Sequence, residues 1–357
     1  MRMELTDVAA VIFNPVAQVK FVHTVAAGYV AASLFVMGVS SWYLLRRMEV
    51  RFALRSFAIA SGFGLAAILS VIVLGDESGY RSGEVQKVKL AAIEAEWETE
   101  PAPASFTLFG LPDQGDETTH GAIKIPYLMG IIATRSLDEQ VTGLKDLKAQ
   151  HEVRIRSGML AYDALEALRS DGSNAEARAT FERHRADLGY GLLLTPHAKE
   201  IGKADESAIA KAVDDSIPQV APLFWSFRLM VGIGVVLLGL FAAAFLQLCR
   251  GKLVQSPRLL KALFWSIPLP WIAIEAGWFV AEFGRQPWTI SDVLPVSASV
   301  SLLQPWQLWF SLISIFLIYS TLLVVVLFLL RHVIRKGPAS LQTGRYQGEV
   351  LKNGSPV

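Results

Sequence analysis

The sequence predicts an all-α membrane protein, a polytopic bundle of five transmembrane helices with a long helical and irregular loop on one side. The chain has 357 residues, of which 52% are hydrophobic and 18% are charged. Charged residues make up about 25% of an ordinary soluble domain. Five windows carry almost no charge, and each can cross about 30 Å of hydrocarbon at about 1.5 Å per residue. The windows are 21–45, 56–75, 230–248, 262–281 and 306–330.

These windows divide the chain into five parts. An outer amphipathic segment is followed by two spans, a long polar segment, three further spans and a cytoplasmic tail. The predicted boundaries are 1–18, 19–75, 76–217, 218–335 and 336–357. We refer to residues 76–217 as the polar region.

Local patterns predict the organisation of the polar region. We expect a turn-like exit from the second span at 76–80 and a helix over 85–98, where apolar residues recur on one face. Prolines and glycines break 101–115 into a loop. Residues 138–186 are charged and helix-prone, and the sequence Asp-Gly-Ser-Asn at 171–174 separates two helices there.

Basic residues predict the orientation. Lys and Arg are concentrated at 46–56, at 249–261 and after the last span, whereas the connection 284–305 offers only Arg285. If the spans alternate, the three basic regions share one side, which the positive-inside rule makes cytoplasmic. The N-terminus and the polar region are then outside. Since no signal sequence precedes the first span, we expect an even number of further spans before Met1.

The composition also narrows the classes of function. A net charge of +1 gives no reason to expect a nucleic-acid partner. The single cysteine, Cys249, has no partner for a disulfide bond and is interpreted as a bystander thiol. Membrane lipid is therefore the one partner that composition alone predicts.

Three side chains able to bind iron are expected near the outer ends of separate spans. His23 lies within one turn of the start of the first span, Met230 opens the third, and Glu282 closes the fourth. Ionisable groups within membrane spans are costly and are functional candidates by default. Histidine and methionine together suit low-spin haem iron, whereas a carboxylate is a weaker-field ligand that leaves iron high-spin. Arg228 could pair with a haem propionate through its two-pronged guanidinium.

Each of these residues also has an ordinary interpretation. His23 can hydrogen-bond a neighbouring helix, and Met230 can serve only in packing. Glu282 can be hydrated near the membrane surface. Trp278 is adequately explained as an interfacial aromatic residue. No single residue decides between haem binding and these alternatives.

Long runs of the sequence resemble the cytochrome bd quinol oxidase subunit I family, and their order is preserved over nearly the whole chain. The runs are QVKFVHTV at 18–25, VIVLGDESGY at 71–80, KLAAIEAEW at 89–97, the fourth-span motif ending in GRQPW at 284–288, and GPASLQTGRY at 337–346. The resemblance implies the family's fold and activity.

The resemblance also implies roles for individual residues. His23 and Met230 would be the axial ligands of a low-spin haem b, and Glu282 would ligate a high-spin haem b. Trp278 would lie one turn from Glu282 beside the high-spin haem. Arg228 would support the low-spin haem.

The polar region would be the quinol-binding loop, in the family's long form. Lys89 and Glu94 would contact or deprotonate ubiquinol or menaquinol. Sequence alone favours a solvated helix face for both residues. At positions i and i+5 they lie about 140° apart on a helix and do not form an i,i+4 ion pair. Each is therefore free to serve a separate group.

Subunit I of this family begins with four further spans, which carry the histidine ligand of haem d. Met1 stands just before the family's fifth span, so the haem d ligand is expected to lie in a segment missing here. Four is an even number, in agreement with the orientation argument. The other histidines are expected in the outer loop or at the cytoplasmic end and cannot substitute: His120, His151, His184, His197 and His332.

The resemblance implies a subunit of a terminal oxidase in the bacterial inner membrane, with the N-terminus and long loop in the periplasm and the C-terminus in the cytoplasm. Quinol would be oxidised at the loop, and electrons would pass through the b haems toward O2, which is reduced to water. Protons would leave on the outer side, which builds a membrane potential. Implied partners are subunit II and a small single-span accessory subunit.

Two other functions stay open. The chain could be a truncated fragment that binds haem b, or only assembles, without reducing oxygen. It could also be a membrane receptor with an outer sensory region. The receptor hypothesis gives no reason for His23, Met230 and Glu282 to share one depth, and the tail is too short for a signalling domain.

Overall fold

The computed structural model describes residues 7–136 and 138–338. Most of the predicted tail, most of the family-like run 337–346 and the beginning of the first segment lie outside the described residues. The helices are α1 (Val8–Ile12), α2 (Pro15–Leu45), α3 (Val50–Val85), α4 (Lys87–Glu94), α5 (Leu144–Ser170), α6 (Ala175–His184), α7 (Leu188–Gly191), α8 (Glu206–Asp215), α9 (Val220–Cys249), α10 (Pro257–Trp265), α11 (Leu269–Phe283) and α12 (Pro305–Lys336). The strands are β1 (Phe106–Asp113), β2 (Thr118–Ile125), β3 (Trp288–Ile290) and β4 (Leu294–Pro295).

The predicted five-span helix bundle is confirmed. Within the described residues, five helical stretches are long and apolar enough to cross a membrane. They are Pro15–Leu45, Val50–Val85, Glu206–Cys249, Pro257–Phe283 and Pro305–Lys336. Helices α2, α3, α9 and α10 share the main apolar core of the bundle.

The first two spans extend further than their apolar windows. Asn14 caps α2 by accepting hydrogen bonds from the N–H groups of Val16 and Ala17, and Pro15 occupies the first helical position. The predicted turn-like exit at 76–80 is wrong, because α3 continues to Val85. Arg81 bonds carboxylates one turn away on either side, at Glu77 and Glu84, and these pairs favour continued helix.

The fourth span is interrupted, whereas the sequence analysis expects one helix over 262–281. Helix α10 ends at Trp265, and α11 begins at Leu269. Pro268 lies in the break and Pro270 in the first turn of α11, and neither residue has the N–H that helix continuation needs. The break leaves α11 as a separate 15-residue helix that ends at the polar region.

The polar region packs in three further apolar clusters, which also include residues of α9 and β3. The helix predicted over 85–98 is shorter in the structure, because α4 covers only Lys87–Glu94 and ends where Ala95 is left-handed. Helices α5 and α6 flank the predicted separator, and Asn174 caps α6. The expectation of a loop over 101–115 is wrong, because β1 and β2 form an antiparallel hairpin. The Asp113 carboxylate accepts hydrogen bonds from the N–H groups of Gly115 and Asp116 and shapes the turn of this hairpin.

Candidate functional site

Helix α4 is an eight-residue helix of the polar region that contacts α9 and α11 of the bundle. Its two candidate residues are both buried, so the solvated helix face that sequence alone favours is wrong. The Nζ atom of Lys89 donates a hydrogen bond to the carbonyl oxygen of Ala281 at 3.0 Å. Glu94 instead forms an ion pair with Arg228 on α9. The two residues do serve separate groups, as their spacing predicts.

Glu94 and Arg228 form a buried salt bridge. The Nη2 atom of Arg228 lies 3.0 Å from Oε2 of Glu94. The same guanidinium donates to the carbonyl oxygens of Ile93, Phe224, Thr107 and Leu108. It also lies 3.3 Å from the ring centroid of Phe224. A charge removed from water needs this degree of hydrogen bonding to be tolerated.

The network around Arg228 bears on its predicted role. Nε and both terminal nitrogens donate to protein oxygens in this conformation. The guanidinium therefore links α9 to α4 and β1, and a haem propionate would have to compete with these acceptors. Support of the low-spin haem by Arg228 stays a prediction.

Burial shifts the pKa values of both α4 residues toward neutrality. The pKa of Lys89 is lowered to about 8, chiefly by burial and also by the charges of Lys20 and Arg285, while Glu282 opposes this shift. Burial raises the pKa of Glu94 to about 7, although Arg228 opposes that shift. Groups that change protonation near neutral pH are suited to proton transfer.

His23 lies deeper in α2 than expected. The helix begins at Pro15, so His23 is about 12 Å along it rather than within one turn of its start. Its ring faces α3, where a Cβ atom added to Gly75 would lie 3.4 Å from Cε1. Its Nδ1 atom is buried and makes no hydrogen bond to the described residues. The backbone of Val71, one turn from Gly75, faces the same ring.

Met230 also lies further from its helix start than expected, since α9 begins at Val220. Its sulfur atom packs against α11, where a Cβ atom added to Gly277 would lie 2.8 Å away. Glycine at 277 therefore makes room for the thioether. The close neighbours of His23 and Met230 thus lie on different helices.

Glu282 and Trp278 lie on the last two turns of α11. Glu282 is half-buried and forms an ion pair with Arg285. Trp278 is 62% exposed, which suits an interfacial residue as well as a surface against a cofactor. Gly277 lies about 8 Å before Glu282 along the helix. Met230 thus packs against α11 about 8 Å before Glu282, and the common depth of the proposed ligands stays a prediction.

One group that sequence reasoning passed over belongs to this site. Glu96 follows α4 and is buried, and its Oε1 lies 4.0 Å from the Nζ of Lys124 on β2. Burial raises the pKa of Glu96 to about 7, and Lys124 opposes this shift. Its sequence signal was weak, because Glu94, Glu96 and Glu98 alternate and only their burial separates them.

The family model described as cytochrome bd terminal oxidase subunit I matches residues 1–338. This chain belongs to that family. The resemblance recognised in the sequence is therefore confirmed.

Individual relatives agree with this family. The chain is 48% identical over 343 residues to the cytochrome bd-II ubiquinol oxidase subunit 1 of Escherichia coli (strain K12), covering 96% of this chain and 67% of that protein. It is 31% identical over 338 residues to the cytochrome bd ubiquinol oxidase subunit 1 of Bacillus subtilis (strain 168), covering 94% of this chain and 60% of that protein. The solved structure of the bd oxidase from Geobacillus thermodenitrificans has the same fold, with a TM-score of 0.67 at 23% identity, covering 93% of this chain and 61% of that chain.

The chain thus spans between 60% and 67% of the length of these relatives. The comparisons do not support the expectation of four further spans before Met1.

Proposed function

We propose that this chain oxidises quinol at the polar region and passes the electrons through two haem b groups toward the reduction of O2 to water. One observation carries the proposal. Lys89 and Glu94, five residues apart on the buried helix α4, contact the two helices that carry Met230 and Glu282. A ligand bound at α4 would therefore lie next to both groups of proposed haem ligands.

The residues of α4 suit the oxidation of a quinol, which releases two protons and two electrons. Glu94 has a pKa of about 7 and can accept a proton from a quinol hydroxyl. Lys89 has a pKa of about 8 and can hydrogen-bond a quinol oxygen in either protonation state. Ubiquinol and menaquinol both offer these oxygens.

The proposed haem ligands have suitable chemistry. His23 offers an imidazole nitrogen to iron, and its Nδ1 is buried without a hydrogen bond to the described residues. With Met230 it would hold a low-spin haem b, and Glu282 would hold a high-spin haem b. Trp278 would border the high-spin haem. When bound, the haems supply one-electron transfer.

The wider assembly follows from the family and from the charge pattern. We place the chain in the bacterial inner membrane, with the N-terminus and polar region in the periplasm and the last helix ending in the cytoplasm. Subunit II and a small single-span subunit are the proposed partners. We assign no residue of this chain to haem d.

The test is quinol oxidation by the assembled oxidase carrying Glu94→Gln or Lys89→Met. We expect each variant to lower turnover by about 100-fold, the lower end of the usual contribution of general acid–base catalysis, with unchanged haem spectra. Glu98→Gln is the matched control, because Glu98 is exposed and pairs with Lys145 at the surface. Wild-type turnover in both α4 variants would contradict the proposal.

Haem b binding without oxygen reduction is the second candidate, because the proposed haem b ligands His23, Met230 and Glu282 are present and we assign no residue to haem d. It predicts haem b that quinol can reduce, without consumption of O2. Measuring haem reduction and oxygen uptake in the same preparation separates the two functions.

A further inference from the structure

A second buried carboxylate follows the proposed quinol-contacting helix. Helix α4 ends at Glu94, and Ala95 takes the left-handed conformation with φ of 53°. The N–H of Glu96 bonds the carbonyl of Ala91, and the N–H of Ala95 bonds that of Ala92. This pair of bonds is a Schellman turn, which reverses the chain. Glu96 is buried beside the end of the helix instead of pointing into water.

Three carboxylates at and after the end of α4 form a series of rising exposure, whereas Glu98 between them lies at the surface. The side chain of Glu94 is 5% exposed, that of Glu96 is 7% exposed, and that of Glu100 is 24% exposed. Lys124 on β2 connects the last two, because its Nζ lies 4.0 Å from Oε1 of Glu96 and 3.0 Å from Oε1 of Glu100. Glu96 is also close enough to Glu94 for its charge to raise the pKa of Glu94. Ionisable groups therefore run from the buried salt bridge through Glu96 to the surface of the polar region.

We propose that Glu96 relays protons from Glu94 to the outer water, with the Lys124–Glu100 pair at the exit. This inference rests on the proposed function. Each proton that leaves quinol binds the Glu94 carboxylate, passes to the Glu96 carboxylate and leaves to water near Glu100. Two protons follow this path for each quinol, and the two electrons leave separately to haem iron. Each carboxylate returns to its ionised form.

The charges around Glu96 suit such a relay. Burial raises its pKa to about 7, Lys124 from β2 opposes this shift, and Glu100 adds to it. The pKa of Glu94 is also about 7, because burial raises it and the charge of Arg228 opposes that rise. Transfer between two groups of equal pKa needs little free energy. Both groups can also release a proton at neutral pH.

A purely structural role for Glu96, as the buried half of an ion pair with Lys124, is the competing explanation. Such a role predicts a change in thermal stability and no change in how turnover depends on pH. The relay predicts a change in turnover and in its pH profile while the haem spectrum and the KM for quinol stay the same.

The decisive experiment measures quinol oxidation by the assembled oxidase from pH 5.5 to 9. We expect Glu96→Gln to lower turnover by about tenfold or more, and Glu96→Asp to restore part of it. Glu98→Gln is the matched control, since it makes the same change at an exposed position two residues away. Wild-type turnover and pH profile in Glu96→Gln would overturn the relay.

A second variant decides the matter if Glu96→Gln does not assemble. Lys124→Gln changes an exposed residue and removes the charge that lowers the pKa of Glu96. The rise of turnover with pH should therefore move to higher pH, and an unmoved profile would overturn the relay. Glu94→Gln separates the two proposals. If Glu94→Gln leaves turnover unchanged, quinol oxidation at α4 itself is contradicted.

If Glu94→Gln lowers turnover and Glu96→Gln does not, only the relay is contradicted.

Discussion

Glu94 on α4 and Arg228 on α9 form a salt bridge of 3.0 Å although 134 residues separate them in the chain. Both side chains are buried, and Arg228 is two residues from Met230. The pair holds the polar region against the third span, two residues from the proposed haem ligand Met230. It therefore joins the proposed quinol site to the proposed electron path.

The first prediction concerns the stability of this pair. Arg228→Met should destabilise the folded chain by about 3–5 kcal/mol, because it leaves the buried Glu94 carboxylate without a counter-charge. The loss should be larger at pH 8 than at pH 6, since protonation of Glu94 removes the unpaired charge. Thermal unfolding in detergent measures both effects. Lys145→Met breaks the exposed pair with Glu98, which water screens, and should change stability far less. Equal losses in the two variants would contradict the prediction.

The second prediction concerns Met230 as a proposed haem ligand. Met230→Leu should remove the low-spin haem b signal from the reduced-minus-oxidised spectrum, because leucine has no sulfur to bind iron. Met37→Leu is the matched control, since Met37 is fully buried in the bundle core and lies about 21 Å along α2 from His23. A low-spin signal that survives Met230→Leu would show that another residue binds this iron.

The third prediction concerns acid stability. His151 is buried, its Nδ1 lies 2.8 Å from Oγ of Ser216, and burial lowers its pKa to about 4. The unfolded chain, with an ordinary pKa near 6.5, takes up this proton first as the pH falls. The stability that His151 contributes is therefore complete above pH 6.5 and is lost toward pH 4. The free energy of unfolding lost through this group over that pH range is about 3 kcal/mol.

His151→Gln tests this prediction, because glutamine does not titrate. Unfolding midpoints measured between pH 4 and pH 7 should fall less steeply in the variant than in the wild type. His197→Gln is the control, since His197 pairs with Asp215 near the surface. The same steep fall in the wild type and in His151→Gln would assign the acid sensitivity to other groups.

The fourth prediction concerns helix packing. A Cβ atom added to Gly64 on α3 would overlap the ring of Phe241 on α9 and lie 2.7 Å from Cβ of Ser33 on α2. Gly64→Ala should therefore destabilise the bundle by about 1–3 kcal/mol. Gly62→Ala makes the same change on the same helix with its nearest neighbour at 3.9 Å. A thermal unfolding midpoint that falls equally in both variants would point to helix flexibility instead of contact.

The apolar windows and the family-like runs made the bundle and the family predictable. A span needs a continuous apolar run, so its existence is written locally in the sequence. The ends of a span are not written locally. The ion pairs of Arg81 extend α3 beyond its apolar run, and the cap at Asn14 extends α2. The break at Pro268 was visible as a proline, but its effect depends on how α10 and α11 pack.

The candidate site was predictable in its residues and less so in its contacts. The resemblance pointed to Lys89 and Glu94, whereas periodicity alone favoured exposure for both. Their burial depends on α11 and α9, which follow about 130 to 190 residues later in the chain. The sequence offered no signal for Glu96, because Glu98 two residues later has the same type of side chain and is exposed.

The sequence by itself determined that this protein is a five-span helical bundle of the cytochrome bd subunit I family, because apolar runs and long motifs are properties of the chain alone. Only the tertiary structure decided which carboxylates are buried and which cations face them. Burial and charge pairing arise from segments that are distant in sequence, and these set the pKa values on which proton transfer depends.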